Sequence, residues 1–339
     1  MDVKENPVRR TTPFPFEDYI AVQQVISNLT GLEQAIAPGN AHGVGIGFRM
    51  VNGRLTDQVV VRLYVFRKLP KKLLSRSSLL SSDVDGIPID IVESDIPFAQ
   101  TGINTEWTRP LKMGYSAAHV SVGAGTMGAV VEDVNSPGSQ YLLSCSHVLA
   151  PPRAPGNAIR QPSRVDDFGP PRQIATLEKF TEVKLGVQVN HVDAALARLF
   201  PGMLADNDLG KLGRLSPLNI LRPGMAEGQH LRVAKLGRTT GYTEGIIDDW
   251  HCNERITVDT PEGPCTAWFE EQLSVAPDGW PTFSEAGDSG SIVVELKPNG
   301  RAIGMVIAGT FGRSIVTPIY KVLKVQGLGP HDHWEVRFI

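Results

Sequence analysis

From about Leu111 the chain breaks into short apolar runs, each closed after roughly 8–12 residues by turn-forming residues. TMGAVVEDV, QYLLSCSHVL, VDAALARL, LRVAKLG, EGIIDDW, RITVD, TAWFEEQLSV, SGSIVVEL and RAIGMVIAG succeed one another in this way. With 34 glycines and 25 prolines in 339 residues and no Gly-X-Y period, the chain is built to turn often. This rhythm predicts many short strands rather than long helices, in an all-β barrel or sandwich. The stretch that ends near Leu328 is too long for one small barrel and comfortable for two.

The residues before it read differently. FEDYIAVQQVISNLTGLEQAIA, residues 16–37, places Ile20, Val25, Leu29 and Leu32 at helix-like spacing and stops at Pro38-Gly39. Two β-rich runs then flank Asn52-Gly53, a strong hairpin signal, and a strand-like IPIDIVES follows. Residues 15–100 therefore read as a small α+β domain. Gly43, Gly45 and Gly47 precede a strand instead of opening a helix, which predicts close backbone packing rather than a phosphate loop. Lys68, Lys71 and Lys72 read as a solvated turn.

Lys and Arg total 33 against 36 Asp and Glu, a net charge of -3. That leaves no basic excess to neutralise a phosphate backbone, so no nucleic-acid partner is expected. No apolar run approaches the ~18 residues of a membrane span, and the first residues lack the apolar segment of a secretory signal. Cys145, Cys252 and Cys265 cannot all pair within one chain, although Cys252 and Cys265 could. A reduced, cytoplasmic protein with no membrane contact is expected.

Three segments carry chemistry: LLSCSHVLA with His147, NHVDAALARL with Asp193 and EAGDSGSIVV with Ser289. A serine hydroxyl is a weak nucleophile and must pass its proton to a base as it attacks. Imidazole, with a free pKa near ~6.5, does this at neutral pH. A buried carboxylate fixes its tautomer and stabilises the imidazolium. Glycines around the serine let the backbone aim successive N–H groups at an oxyanion, with Gly287 and Ser289 as the expected donors. A Gly-Asp-Ser-Gly run arises by chance on the order of once in a hundred such chains. In the order His, Asp, Ser at strand edges, the three segments reinforce one another.

With these residues in view, residues 111–328 resemble the trypsin-like serine peptidases. Ser144-Cys145-Ser146-His147-Val148-Leu149 resembles the segment around the family's base, Asp193 matches its orienting carboxylate and Ser289 its nucleophile. VAKLGRTTGYTEGIIDD further resembles the bacterial members, a branch that includes the plant narrow-leaf proteins. GVGIGFR, VVVRLYVFRKLP and DGIPIDIVE resemble the N-terminal stretch of that branch. The resemblance implies a double antiparallel β-barrel, mainly β, with a small N-terminal α+β domain. It also implies that Phe283, six residues before the nucleophile, sits at the base of the specificity pocket. Ile307, Ala308 and Gly309 would then face the substrate backbone, with Ile307 in place of a serine common in the family. No acidic residue stands at the pocket base, so small or medium apolar side chains are expected there. The alternative is that Phe283 packs in the core. Asp288 pairs with a new N-terminus in secreted relatives. No activation sequence is visible here, so an internal partner is expected.

Asp166 and Asp167 rival Asp193, but they lie in a proline-rich polar loop. His191 could join Asp193 in a metal pair, yet no third ligand is visible and no metal or cofactor is expected. His331 and His333 read as exposed. The domains expected are residues 1–110 as an accessory or oligomerisation unit, 111–200 and 201–328 as the barrels, and 329–339 as a tail. The function expected is a serine endopeptidase acting on peptides or proteins, assembled as a homo-oligomer. Its rivals are a catalytically silent scaffold and an esterase for small acyl groups.

Overall fold

Apolar side chains alternate or run together along each short segment, and the segments pair edge to edge so that the apolar faces meet. The structure, a computed structural model, describes residues 41–51, 54–65, 68, 83–84, 87–93, 102–151, 156–225, 230–260, 263–298, 300–310, 312–327 and 331–339. The helix expected over residues 16–37, with Lys71, Lys72 and the Asn52-Gly53 turn, lies outside them.

The first barrel is an eight-stranded sheet. Its order is Lys324–Gln326, His333–Phe338, Ala129–Asp133, Gln140–Ser144, Ala195–Leu199, Gln173–Phe180, Ala158–Arg160 and Ala118–His119, every pairing antiparallel. The second barrel closes on itself through six antiparallel strands: Arg232–Gly237, Gly241–Thr260, Gly263–Pro277, Ser314–Pro318, Ala302–Gly309 and Ile292–Glu295. The molecule is thus mainly β, a double antiparallel barrel. Buried side chains of both barrels join one contiguous core, each large one contributing about 1.5–3 kcal/mol.

Residues 329–339, expected as a tail, carry the strand His333–Phe338, which pairs with Ala129–Asp133. The physical reason is legible in hindsight: Trp334, Val336 and Phe338 alternate inward and are buried, leaving the polar residues between them outward.

The hairpin Ala41–Val51 and Arg54–Val65 forms as expected, with Val51 opposite Arg54. It also pairs with the outer half of Gly241–Thr260, so the second barrel's sheet continues through it to Ile87–Glu93 and Asp83–Val84. Gly43, Gly45 and Gly47 do allow the close packing expected. A Cβ on Gly43 would press on Glu254, on Gly45 on Asp249, and on Gly47 on the Asp248 carbonyl.

Candidate active site

His147 lies on the four-residue helix Ser146–Leu149, directly after the strand Gln140–Ser144. So short a helix is held by its surroundings. Val148 and Leu149 are buried, and Ser146 Oγ donates to the Thr181 carbonyl at 2.6 Å. The strand Ala195–Leu199 pairs Ala195 with Ser144, which brings Asp193 alongside the helix. Asp193 is 2% exposed; Oδ1 accepts the His147 backbone N–H at 3.1 Å, and Oδ2 is bonded to His147 Nδ1. Nδ1 is thereby committed to Asp193, and Nε2 is the ring nitrogen left outside that bond. Burial pulls the His147 pKa down, but the charge and hydrogen bond of Asp193 more than offset this, and the net shift is upward.

Ser289 projects from the turn before the strand Ile292–Glu295. Gly287 and Gly290 hold φ of 96° and 97°, a region that L side chains disfavour. A Cβ on Gly287 would also collide with Thr239 Oγ1, and one on Gly290 with Ser144 Oγ. Two backbone N–H groups of this turn, those of Gly287 and Ser289, make no hydrogen bond with any described residue. Gly290 N–H by contrast donates to the Val306 carbonyl at 2.8 Å and Ser291 N–H to the Asp288 carbonyl at 3.0 Å.

The Val306 carbonyl also accepts the Cys145 thiol at 3.1 Å. One carbonyl thus links the residue two before His147 to the residue after Ser289. Ser289 Oγ donates to the Ile307 carbonyl at 3.3 Å, and among the described residues no hydrogen bond joins it to His147. In unliganded sites such bonds are often long and close only around substrate.

Asp288 has the internal partner expected: Lys235 Nζ lies 3.2 Å from Oδ2, both side chains fully buried. The carboxylate also accepts from Thr239 N, Thr240 N, Thr240 Oγ1 and Glu285 N, at 2.7, 3.2, 2.7 and 3.0 Å. Thr126, which sequence reasoning missed, braces the turn from the first barrel. Its N–H donates to the Ser289 carbonyl at 3.0 Å and its hydroxyl to the Gly287 carbonyl at 2.7 Å. Two residues on, Gly128 lets the first barrel approach the turn, since a Cβ there would collide with the Gly290 carbonyl.

Asp166 sits elsewhere, bonded to Arg238, Ser116 and Ser163, while Asp167 lies near Arg160 and Arg172. His191 Nδ1 lies 3.7 Å from Glu271 Oε2 rather than beside Asp193. His331 stacks on Phe180 with ring centroids 5.4 Å apart, and His333 is exposed. Cys145, His147 and Asp193 cluster closely enough to be considered as metal ligands. Their chemistry argues otherwise: burial pushes the Cys145 thiol well up, and Nδ1 is already held by Asp193. All three cysteines are free. Cys252 stands opposite Gln272 and Cys265 opposite Val258, which separates that pair.

Of the expected pocket residues, Phe283 is fully buried beside Gly245, with no surface to line an open pocket. Ile307 is buried, and its carbonyl rather than its side chain meets Ser289. Ala308 is half-buried, and Gly309 approaches Ser284 too closely for a side chain. Ser284 and Ser314, joined through their hydroxyls at 2.6 Å, add polar groups there that the sequence did not single out.

No protein-family model matches the chain. It is 24% identical over 309 residues to Protein NARROW LEAF 1 of Oryza sativa subsp. japonica, covering 80% of this chain and 51% of that one. The chain therefore spans about half the length of the curated relative it matches. Among solved structures it is similar to a glutamic acid-specific serine protease described as using a histidine triad in substrate binding. That similarity has a TM-score of 0.42 and 16% identity, over 63% of this chain and 96% of the other. Thermobifida fusca Protease A gives 0.39 and 16%, over 63% and 95%. Cellulomonas bogoriensis chymotrypsin gives 0.35 and 16%, over 68% and 99%.

Proposed function

We propose that the chain is a serine endopeptidase. Ser289 Oγ attacks the carbonyl carbon of a peptide bond while His147 Nε2 takes its proton. The carbonyl oxygen, now an anion, is received by the N–H groups of Gly287 and Ser289. The intermediate collapses as His147 returns the proton to the leaving amine, and water then releases the acyl group by the same route. Asp193 holds the imidazole in the tautomer that the first step requires. Lys235 keeps Asp288 charged-paired beneath the turn, so no cut N-terminus is needed to shape it. The observation that carries the reading is the conjunction of a carboxylate-held imidazole with a serine turn whose two N–H groups are unpaired.

The silent-scaffold reading has one observation in its favour, the Ser289 hydroxyl turned to the Ile307 carbonyl. Incubation of the purified chain with an unstructured protein, read by mass spectrometry, separates the two. Defined cut sites that vanish in Ser289→Ala are expected; intact substrate with the folded wild-type chain sinks the endopeptidase reading.

A further inference from the structure

The hairpin of Gly241–Thr260 and Gly263–Pro277 is longer than barrel closure requires. Its inner half closes the barrel, where Leu273, Ser274 and Val275 pair with the strand Ser314–Pro318. Register shifts then fall between Asp249 and Glu254, and on the partner strand Glu271 holds a φ of 57°. Such bulges bend a hairpin and re-aim what lies beyond them. Beyond them, residues 254–260 and 263–269 bury Ile256, Val258, Ala267 and Phe269 on one face.

This outer half is tied to the segment that delivers Asp193. Gly186 N–H donates to the Thr266 carbonyl at 2.7 Å. Val189 and Asn190 pair in parallel with Trp268 and Phe269, and Asn190 Nδ2 donates to the Trp268 carbonyl at 3.0 Å. Asp193 follows three residues after Asn190. Asp259 stands near the end of the hairpin, opposite Pro264, on the strand face away from Val258, and is exposed. Its charge reaches the imidazole. Burial lowers the His147 pKa, Asp193 raises it by charge and hydrogen bond, and Asp259 adds to the rise.

The Asp259 carboxylate makes no hydrogen bond or ion pair with any described residue, Arg255 two residues back on the same face included. Surface charges are felt over about 8 Å at physiological salt. A carboxylate that acts on His147 therefore acts also on any side chain that a substrate places between them. A cation gains from that field, a neutral group gains nothing, and a second carboxylate is repelled. We propose that Asp259 is a specificity-determining residue that selects a lysine or arginine of the bound peptide beside His147. The proposal rests on the endopeptidase reading for its substrate class. An extended peptide advances about 3.3 Å per residue, so the selected position lies within roughly three residues of the bond to be cut.

The test uses full-length Ser289→Ala chain and decapeptides identical except for one residue, Arg, Gln or Glu, moved along the peptide in turn. Calorimetry reads binding. At one position the Arg peptide is expected to bind about 5-fold more tightly than the Gln peptide, the upper end for an exposed ion pair, and the Glu peptide more weakly than either. In 1 M NaCl, where charges are felt over only about 3 Å, the preference should collapse. Adding Asp259→Asn removes it, and adding Asp259→Lys reverses it, so that Glu binds better than Arg at that same position. Both substitutions fall on an exposed side chain and should leave the urea unfolding midpoint in place. No Arg preference, one spread equally over all positions, or one that survives Asp259→Asn overturns the assignment. Cleavage of the same peptides by the wild-type chain is read separately: preference without cleavage removes the endopeptidase reading and leaves the role of Asp259, and cleavage without preference does the reverse.

Discussion

Lys235–Asp288 and Arg62–Asp248 are both buried cation–carboxylate pairs on the second sheet, and they are finished to different standards. Beneath the Ser289 turn, Asp288 accepts four hydrogen bonds besides its lysine, and Lys235 Nζ also donates to the Gly241 carbonyl at 3.0 Å. In the seam between the N-terminal hairpin and Gly241–Thr260, Arg62 Nε and Asp248 Oδ1 are buried with no hydrogen-bond partner among the described residues. Around them Tyr64 OH donates to Asp249 Oδ2 at 3.0 Å, and Arg313 stacks on the Tyr64 ring while pairing with Glu254. The first pair lies beneath a turn whose Gly287 and Ser289 N–H groups make no hydrogen bond with any described residue. The second only has to keep two strands together, which the ladder already does. Polar groups are more fully satisfied beneath the turn than in the seam, and under the proposed function that is where geometry has a chemical consequence.

This contrast can be broken from the top down. Ser289→Ala should lower turnover by about 10⁴-fold or more with the fold intact, and Asp193→Asn by about 10⁴-fold through the wrong tautomer, both read as kcat on a cleaved peptide. If Asp193→Asn is near wild type, the carboxylate assignment is wrong. Next come Lys235→Met and Arg62→Met. Each strands a buried carboxylate and should cost about 3–5 kcal/mol in urea unfolding. Only Lys235→Met should also depress activity per folded molecule, by about 10²-fold or more, because only that pair shapes the N–H turn. Equal losses of activity in both variants would erase the distinction between turn and seam.

The smallest effect concerns pH. Burial raises the Asp249 pKa to about 7, against the pull of Arg62. The folded state therefore holds this proton more tightly than the unfolded chain does. Stability from this group is present below about pH 4 and is lost as pH rises to about 7. Asp249→Asn, neutral throughout, should flatten that slope without changing turnover per folded molecule.

The barrels were legible because turn residues punctuate them and apolar runs repeat at strand length. The turn of the candidate site was legible because Gly-Asp-Ser-Gly marks a backbone that favours glycine, as at positions 287 and 290. What escaped was long-range. Nothing local says that Thr126 braces a turn more than 160 residues away. His333–Phe338 alternates plainly, but its position at the chain end concealed its partner. The separate α+β domain rests on a helix-like run, a hairpin signal and a strand-like segment, of which the hairpin is the clearest. That signal is local and does not reveal that Gly43, Gly45 and Gly47 lie against the second barrel's longest strand. Phe283 was placed by resemblance, and its environment is core.

The central claim is that His147, Asp193 and Ser289 act as one site. The most direct measurement is the rate at which a fluorophosphonate modifies Ser289, followed by intact mass from pH 5 to 9. The neutral imidazole is the form that accepts the proton, and its pKa is raised above 6.5. The rate should therefore rise through one transition with a midpoint above pH 6.5 and then level off, with the label mapped to Ser289, and Asp193→Asn should abolish most of it. A rate independent of pH, or label on another residue, would contradict the account.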